Sequence, residues 1–166
     1  MQKNSFTFDS IAKEITKSNK FNELKSENHH GITRYKHVLR VSKYTYKISK
    51  LLKMDYISAT RAALLHDYFT NEELHNDSSL KRGIIHPEVA CINAKKDFEL
   101  NEIERNAIVS HMFPLGNEIP KYKESWILTI VDKLVATYEM TRFKLTNAIS
   151  LYTLFIINMI LFWHYY

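Results

Sequence analysis

His66 and Asp67 stand side by side at the end of the apolar run Ala62-Ala63-Leu64-Leu65. An imidazole and a carboxylate carried into a buried helix are costly unless something pairs with them, and a divalent metal pairs with both. Four further residues of ligand type recur along the chain: His37 before the pair, then His86, His111 and Asp132 after it. A neutral imidazole offers one lone pair, whereas a carboxylate can bridge two cations. Four histidines and two aspartates therefore suffice for two metal positions if one aspartate is shared. A hydroxide held between two metals is a strong nucleophile at neutral pH, and the same metals neutralise the oxygens of a phosphoryl group under attack. Histidine with carboxylate suits Fe, Mn, Zn, Co or Ni better than Mg. The expected cofactor is one or two divalent transition-metal ions, Fe or Mn foremost. Singly, each histidine reads as an ordinary hydrogen-bonded core residue. Together, six such groups in one small chain would each need a separate polar partner.

Helices must position them. With 166 residues the chain fits one domain, and three glycines and three prolines are too few turn formers for a many-hairpin sandwich or barrel. An all-α fold follows. A short helix is expected over Phe8 to Ser18, a polar stretch from Asn19 to Gly31, and a long helix from Ile32 to Lys53. In that helix His37, Val41, Tyr44, Ile48 and Leu51 follow the spacing of one inward face. Asp55 is the expected N-cap of a helix reaching Phe69, on which Ala59, Ala62, Ala63 and His66 share a face. Residues 70–85 read as a polar loop, with Pro87 and Glu88 as first-turn residues of a helix from His86 to Phe98. Asn101 with Glu104 resembles a capping box for a helix ending near Met112. A last helix, Tyr122 to Arg142, places Leu128, Asp132, Val135 and Glu139 on one face.

The formal charge of +5 is a mild basic bias, suited to an anionic small substrate or an anionic membrane surface. No Lys/Arg run is long enough to track a nucleic-acid backbone, so stable nucleic-acid binding is not expected. A single cysteine, Cys91, excludes an intramolecular disulfide, fits a reducing cytosol, and reads as a core residue among Val89, Ala90 and Ile92. MQKNSFTFDS carries no apolar leader, and a cytoplasmic location is the expectation.

The tail differs from the body. Residues 145–166 carry no formal charge, and 149–163 (ISLYTLFIINMILFW) are strongly apolar. Twenty-two residues of helix span roughly 30 Å, about a bilayer core. Arg142 and Lys144 precede the segment, and Trp163, Tyr165 and Tyr166 end it, as interfacial residues do. One expectation is thus a domain over 1–144 with a hydrophobic C-terminal helix over 145–166 that touches the inner face of a membrane. Thr146, Asn147, Ser150, Thr153 and Asn158 interrupt the apolar run and keep a second expectation open, a core or dimer helix.

The ordered series resembles the HD superfamily of metal-dependent phosphohydrolases over about residues 30–140. His37, His66, Asp67 and Asp132 match its H…HD…D pattern, which implies one metal held by these four. His86 and His111, in the phrases GIIHPEVA and SHMFPL, match the extra histidines of its dinuclear branches. That match implies a second metal bridged through Asp67, with Asp67 and His66 as catalytic residues beside Arg40. The resemblance further implies a single HD-type helical bundle, a small phosphorylated substrate of nucleotide type, and cleavage of a mono- or diester by metal-activated hydroxide. Tyr68, Phe69 and Thr70 after the pair, and Met112 after His111, depart from the HD-GYP subgroup. Glu72 or Glu73 meets the acidic position of the 5′-nucleotidase branch only with a shift.

Arg34 and Arg40, one turn either side of His37, and Lys133 beside Asp132 are the candidate phosphate-binding cations, with Lys81 and Arg82 further off. His29, His30, His75 and His164 are not expected to be ligands. The alternative to an enzyme is a non-catalytic metal- or nucleotide-binding module in signalling.

Overall fold

The computed structural model describes residues 6–29, 31–74 and 78–165. The readings made on residues 1–5, His30, His75 and Tyr166 lie outside the described residues. Seven α-helices, one short 3-10 helix (Asn71–Leu74) and one two-stranded ribbon make up the described residues: α1 Phe8–Lys17, α2 Asn19–Glu23, β1 Asn28–His29, β2 Ile32–Thr33, α3 Arg34–Leu51, α4 Tyr56–Leu65, α5 Ser79–Asp97, α6 Glu102–Ser110 and α7 Lys123–Tyr165. The fold is all-α, with β1 and β2 pairing antiparallel over two residues each.

Short polar side chains set most helix starts. Thr7, Ser18, Thr33, Asp55, Ser78 and Asn101 each accept a backbone N–H of the first turn of α1, α2, α3, α4, α5 and α6. Asn101 and Glu104 close the full reciprocal capping box. The core gathers Ile15, Phe21 and Leu24 under α1 and α2 with Val38, Val41, Leu64, Leu65, Ala90, Ala94, Ile108 and Leu128. Cys91 is buried in that core, as its neighbours imply.

Four expectations change. The polar stretch 19–31 folds into α2 and the ribbon, because Ser18 caps a short helix whose Phe21 is fully buried. Helix α5 begins at Ser79, with Pro87 inside it. Proline removes a single ladder bond, and Ser78 caps the helix well upstream of it. Helix α4 stops at Leu65, so His66 sits at its C-cap and the helix never reaches Phe69. On α3 the buried face is Arg34, His37, Val38, Val41, Ser42, Thr45 and Ser49, leaving Tyr44 and Leu51 exposed. Helix α3 packs against α4, where Ala59, Ala62 and Ala63 are fully buried.

Helix α7 runs unbroken through residues 144 and 145. No helix of the described residues is long and apolar enough to cross a membrane, so the expected bilayer anchor over 145–166 is not supported. The tail does not join the core either. Every residue from Thr141 to Leu151 is exposed, as are Thr153, Leu154 and Ile157.

Candidate metal centre

Five elements converge on one buried polar cluster. Helix α3 contributes His37, the end of α4 His66 and Asp67, α5 His86, the end of α6 His111, and α7 Asp132. His37, His66, Asp67, His111 and Asp132 are each at most 7% exposed. All six residues singled out from the sequence therefore meet in space.

Two of these positions have the same local cause. His66 and His111 each occupy the C-cap of a short helix, where the last carbonyls lack partners. His66 Nδ1 donates to Ala63 O (2.8 Å), and His111 Nδ1 donates to Ile108 O (2.7 Å). His86 Nδ1 donates to Arg82 O at 3.0 Å, and His37 Nδ1 to Glu139 Oε2 at 2.8 Å. Each outward nitrogen is occupied, so each Nε2 is turned inward. That is the outer-shell arrangement which fixes tautomer and ring orientation in histidine metal ligands.

The inward atoms are crowded. His37 Nε2 lies 3.0 Å and His66 Nε2 3.5 Å from Asp132 Oδ1. Asp67 Oδ1 is 3.4 Å from His86 Nε2 and 3.8 Å from His111 Nε2. His86 Nε2 and His111 Nε2 face each other at 2.9 Å. His66 Nε2 is buried without a hydrogen-bond partner. A buried imidazole nitrogen without a partner, set among carboxylates, fits a bound cation. His37, His66 and Asp132 form one group whose ligand atoms lie within 4.8 Å of one another, and His66, Asp67 and His111 form a second. The donor set fits divalent transition metals that accept nitrogen and oxygen.

The two halves of the cluster differ electrostatically. Burial alone disfavours the His37 cation, but the Asp132 and Glu139 carboxylates outweigh it and raise His37 to about 10. His66 is likewise raised, burial being overcome by Asp67 and Asp132. Asp132, despite burial, is held well below the usual carboxylate range by His37 and His66. At the other end burial, reinforced by His86 and His66, lowers His111 to about 3. His86 is lowered by burial too, against the pull of Asp67. One half attracts positive charge and the other presents neutral lone pairs.

The candidate cations are placed differently from one another. Arg34 is buried, donates to Phe69 O (2.9 Å) and Asn71 Oδ1 (3.0 Å), lies over the Phe69 ring, and has Nε 3.8 Å from Asp67 Oδ2. Arg40 is ion-paired with Glu139, on the far side of His37 from Asp132. It thus stands behind the cluster, and its guanidinium reaches His37 through that glutamate. Lys133 Nζ donates to the backbone oxygen of His111 at 2.8 Å. Arg82 Nη2 shares Asn71 Oδ1 with Arg34.

Glu139 is the site residue that sequence reasoning did not assign. Its place on the Leu128, Asp132, Val135 face was visible, and an acidic residue on an otherwise buried face was the available signal. Glu73 sits elsewhere, bonded to Lys20, Asn93 and Thr70, beside an open 690 Å³ cavity lined by Ser18, Lys96 and Phe98. That cavity contains none of the clustered ligands.

A family model described as HD domain matches residues 34–137, which span the cluster from end to end. Two proteins named Ribonuclease Y, from two strains of Ureaplasma parvum serovar 3, are each 33% identical to the chain over 113 residues. The match covers 68% of this chain and 22% of each relative, so the chain spans less than a quarter of the length of the curated relatives it matches. No solved structure matches significantly.

Proposed function

The chain belongs to the HD domain family of metal-dependent phosphohydrolases, and we propose that it hydrolyses a nucleotide-class phosphate ester at this cluster, with Asp67 shared between two metal positions. The observation that carries the reading is the convergence of four Nε2 atoms on two carboxylates, with His66 Nε2 buried and unpartnered. Divalent metal bound there supplies a Lewis acid that acidifies water and neutralises charge on phosphoryl oxygens.

The protein's own groups orient and shield. Glu139 and three backbone carbonyls hold the imidazoles in one tautomer. Asp67 directs Oδ1 toward His86 and His111 and Oδ2 toward His66 and Arg34. We assign phosphate charge neutralisation to Arg34, whose buried Nε carries no hydrogen-bond partner. Lys133 steadies the α6 terminus that bears His111, and Arg40 steadies Glu139.

The name of the Ribonuclease Y relatives supports a phosphodiester among the substrates to be tried. The test is a panel assayed with Mn: mononucleotides, cyclic dinucleotides, a short oligoribonucleotide and p-nitrophenyl phosphate. Turnover of at least one, abolished by Asp67→Ala, is the expected result. A metal-loaded chain that turns over none of them would count against catalysis and favour a binding module.

A further inference from the structure

We propose that Arg82 binds a second phosphate group of the substrate whose first phosphate sits at the metal centre, and so selects substrates that carry two neighbouring phosphates. The proposal rests on the phosphate-ester reading of the centre and adds to it a specificity residue outside the ligand set.

Arg82 belongs to the frame of the centre. It lies on α5 one turn before His86, and its main-chain oxygen accepts from His86 Nδ1 at 3.0 Å. The Phe69 and His86 ring centroids are 5.3 Å apart, and the Arg34 guanidinium lies over the Phe69 ring at 3.9 Å. Two residues beyond Phe69, Asn71 Oδ1 accepts from both Arg34 Nη2 (3.0 Å) and Arg82 Nη2 (2.9 Å). One amide oxygen thus holds a guanidinium from α3 and a guanidinium from α5 as neighbours.

The two cations differ in how their charge is met. Arg34 is buried, with Glu27 Oε2 at 3.4 Å from Nη1 and Asp67 Oδ2 at 3.8 Å from Nε. The same Glu27 oxygen accepts the Asn71 N–H at 3.1 Å, which fixes the amide between the two arginines. Arg82 is half-buried and is held through the neutral amide, and no carboxylate pairs with it among the described residues. Like charges gathered on a neutral acceptor repel, and an anion relieves that repulsion. Asn71 engages one nitrogen of the Arg82 fork and leaves its other donors, whose planar geometry suits phosphate oxygens.

The order of contacts makes this a second position rather than a share of the first. Arg34 turns Nε toward Asp67 and Nη2 toward Asn71, and Arg82 stands beyond Asn71. A phosphate between the metal positions and Arg34 Nε therefore has Arg82 beside its neighbour. That neighbour is either a phosphate joined through an anhydride or the next phosphate along a nucleotide strand, and both present the same anionic oxygens.

Isothermal titration of the chain as purified, with its own metal and none added, distinguishes them. Adenosine 5′-monophosphate (AMP) is compared with adenosine 5′-diphosphate (ADP), and the dinucleotide ApA with its 5′-phosphorylated form pApA. In the native chain the second phosphate should tighten binding about tenfold or more in at least one pair, the worth of a charge-assisted hydrogen bond. Arg82→Gln should abolish that gain and leave AMP and ApA unchanged, and Arg82→Lys, which keeps the charge without the fork, should restore part of it. The oxygen that holds His86 is main-chain, so both variants should keep the native metal content and far-UV spectrum. A gain for ADP places the second phosphate across an anhydride, and a gain for pApA places it along a strand. Binding of AMP and ApA with no gain in either pair would overturn the proposal and leave the phosphate-ester reading standing. So would a gain that survives Arg82→Gln, or equal weakening of AMP and ADP in that variant. A metal-loaded native chain that binds none of the four would remove both.

Discussion

The body and the tail of this protein depart from an ordinary globular chain in opposite directions. Where α3 to α7 converge, four imidazoles and two carboxylates turn their inward atoms together where hydrocarbon is the rule. Beyond Phe143 the surface carries leucine and isoleucine where charge is the rule. The two differ in what they specify. Inside, directional hydrogen bonds lock every outward nitrogen and leave inward lone pairs, which specify a cation. Outside, only exposed apolar positions are present, which by themselves specify no ligand.

Substitutions in the body should therefore act on metal and activity, and substitutions in the tail should act on neither. The largest effect is expected for Asp67→Ala. Loss of that carboxylate should remove several kcal/mol of transition-state stabilisation, on the order of a hundredfold or more in turnover. A Mn-dependent assay with a circular dichroism control measures it. Glu139→Gln comes next, with metal affinity falling about ten- to a hundredfold as His37 loses its carboxylate partner. Arg40→Gln, one contact further out, should cost less, and a larger loss than in Glu139→Gln would contradict the order Arg40, Glu139, His37.

Chelation should lower the melting temperature. At metal concentrations a hundred times Kd, linkage stabilises the fold by about 2.7 kcal/mol, roughly 5–10 °C for a domain of this size. The chelated protein should also have a peaked pH profile. His37, raised to about 10, adds stability that is complete below 6.5 and is lost as pH climbs through about 10. His111, lowered to about 3, stays neutral in the fold, so its contribution is complete above 6.5 and declines as pH falls toward 3. Melts across this range should peak near 6.5, and metal should remove the alkaline limb by displacing the His37 proton. A flat profile would contradict the split between the two halves. The smallest effect is expected for Leu145→Asp/Ile149→Asp, with the stability of a single chain changed by about 0.5 kcal/mol or less and metal content unchanged. A loss of metal in that variant would mean that tail and centre are one unit.

Much of the body was legible because its polar residues sit on strongly periodic faces. The four residues Leu128, Asp132, Val135 and Glu139 share the buried side of α7, and Ala107, Ile108 and His111 lie together at the end of α6. Asp55 and the Asn101–Glu104 box mark two helix starts through side-chain chemistry that is local in sequence. Other features were not local. Pro87 reads as a helix start only if the cap at Ser78 is overlooked. Tyr44 and Leu51 continue the apolar spacing of His37 and Val41, yet the buried face of α3 runs instead through Ser42, Thr45 and Ser49. The role of Glu139 depends on Nδ1 of a histidine 102 residues away, which no spacing along the chain reveals. For the tail, composition pointed outward without stating to what.

Metal content tests the central claim most directly. Elemental analysis of the purified chain should give one to two equivalents of a divalent transition metal, lost in Asp67→Ala. A native chain with no bound metal, and no thermal shift on adding Mn or Fe, would contradict the account.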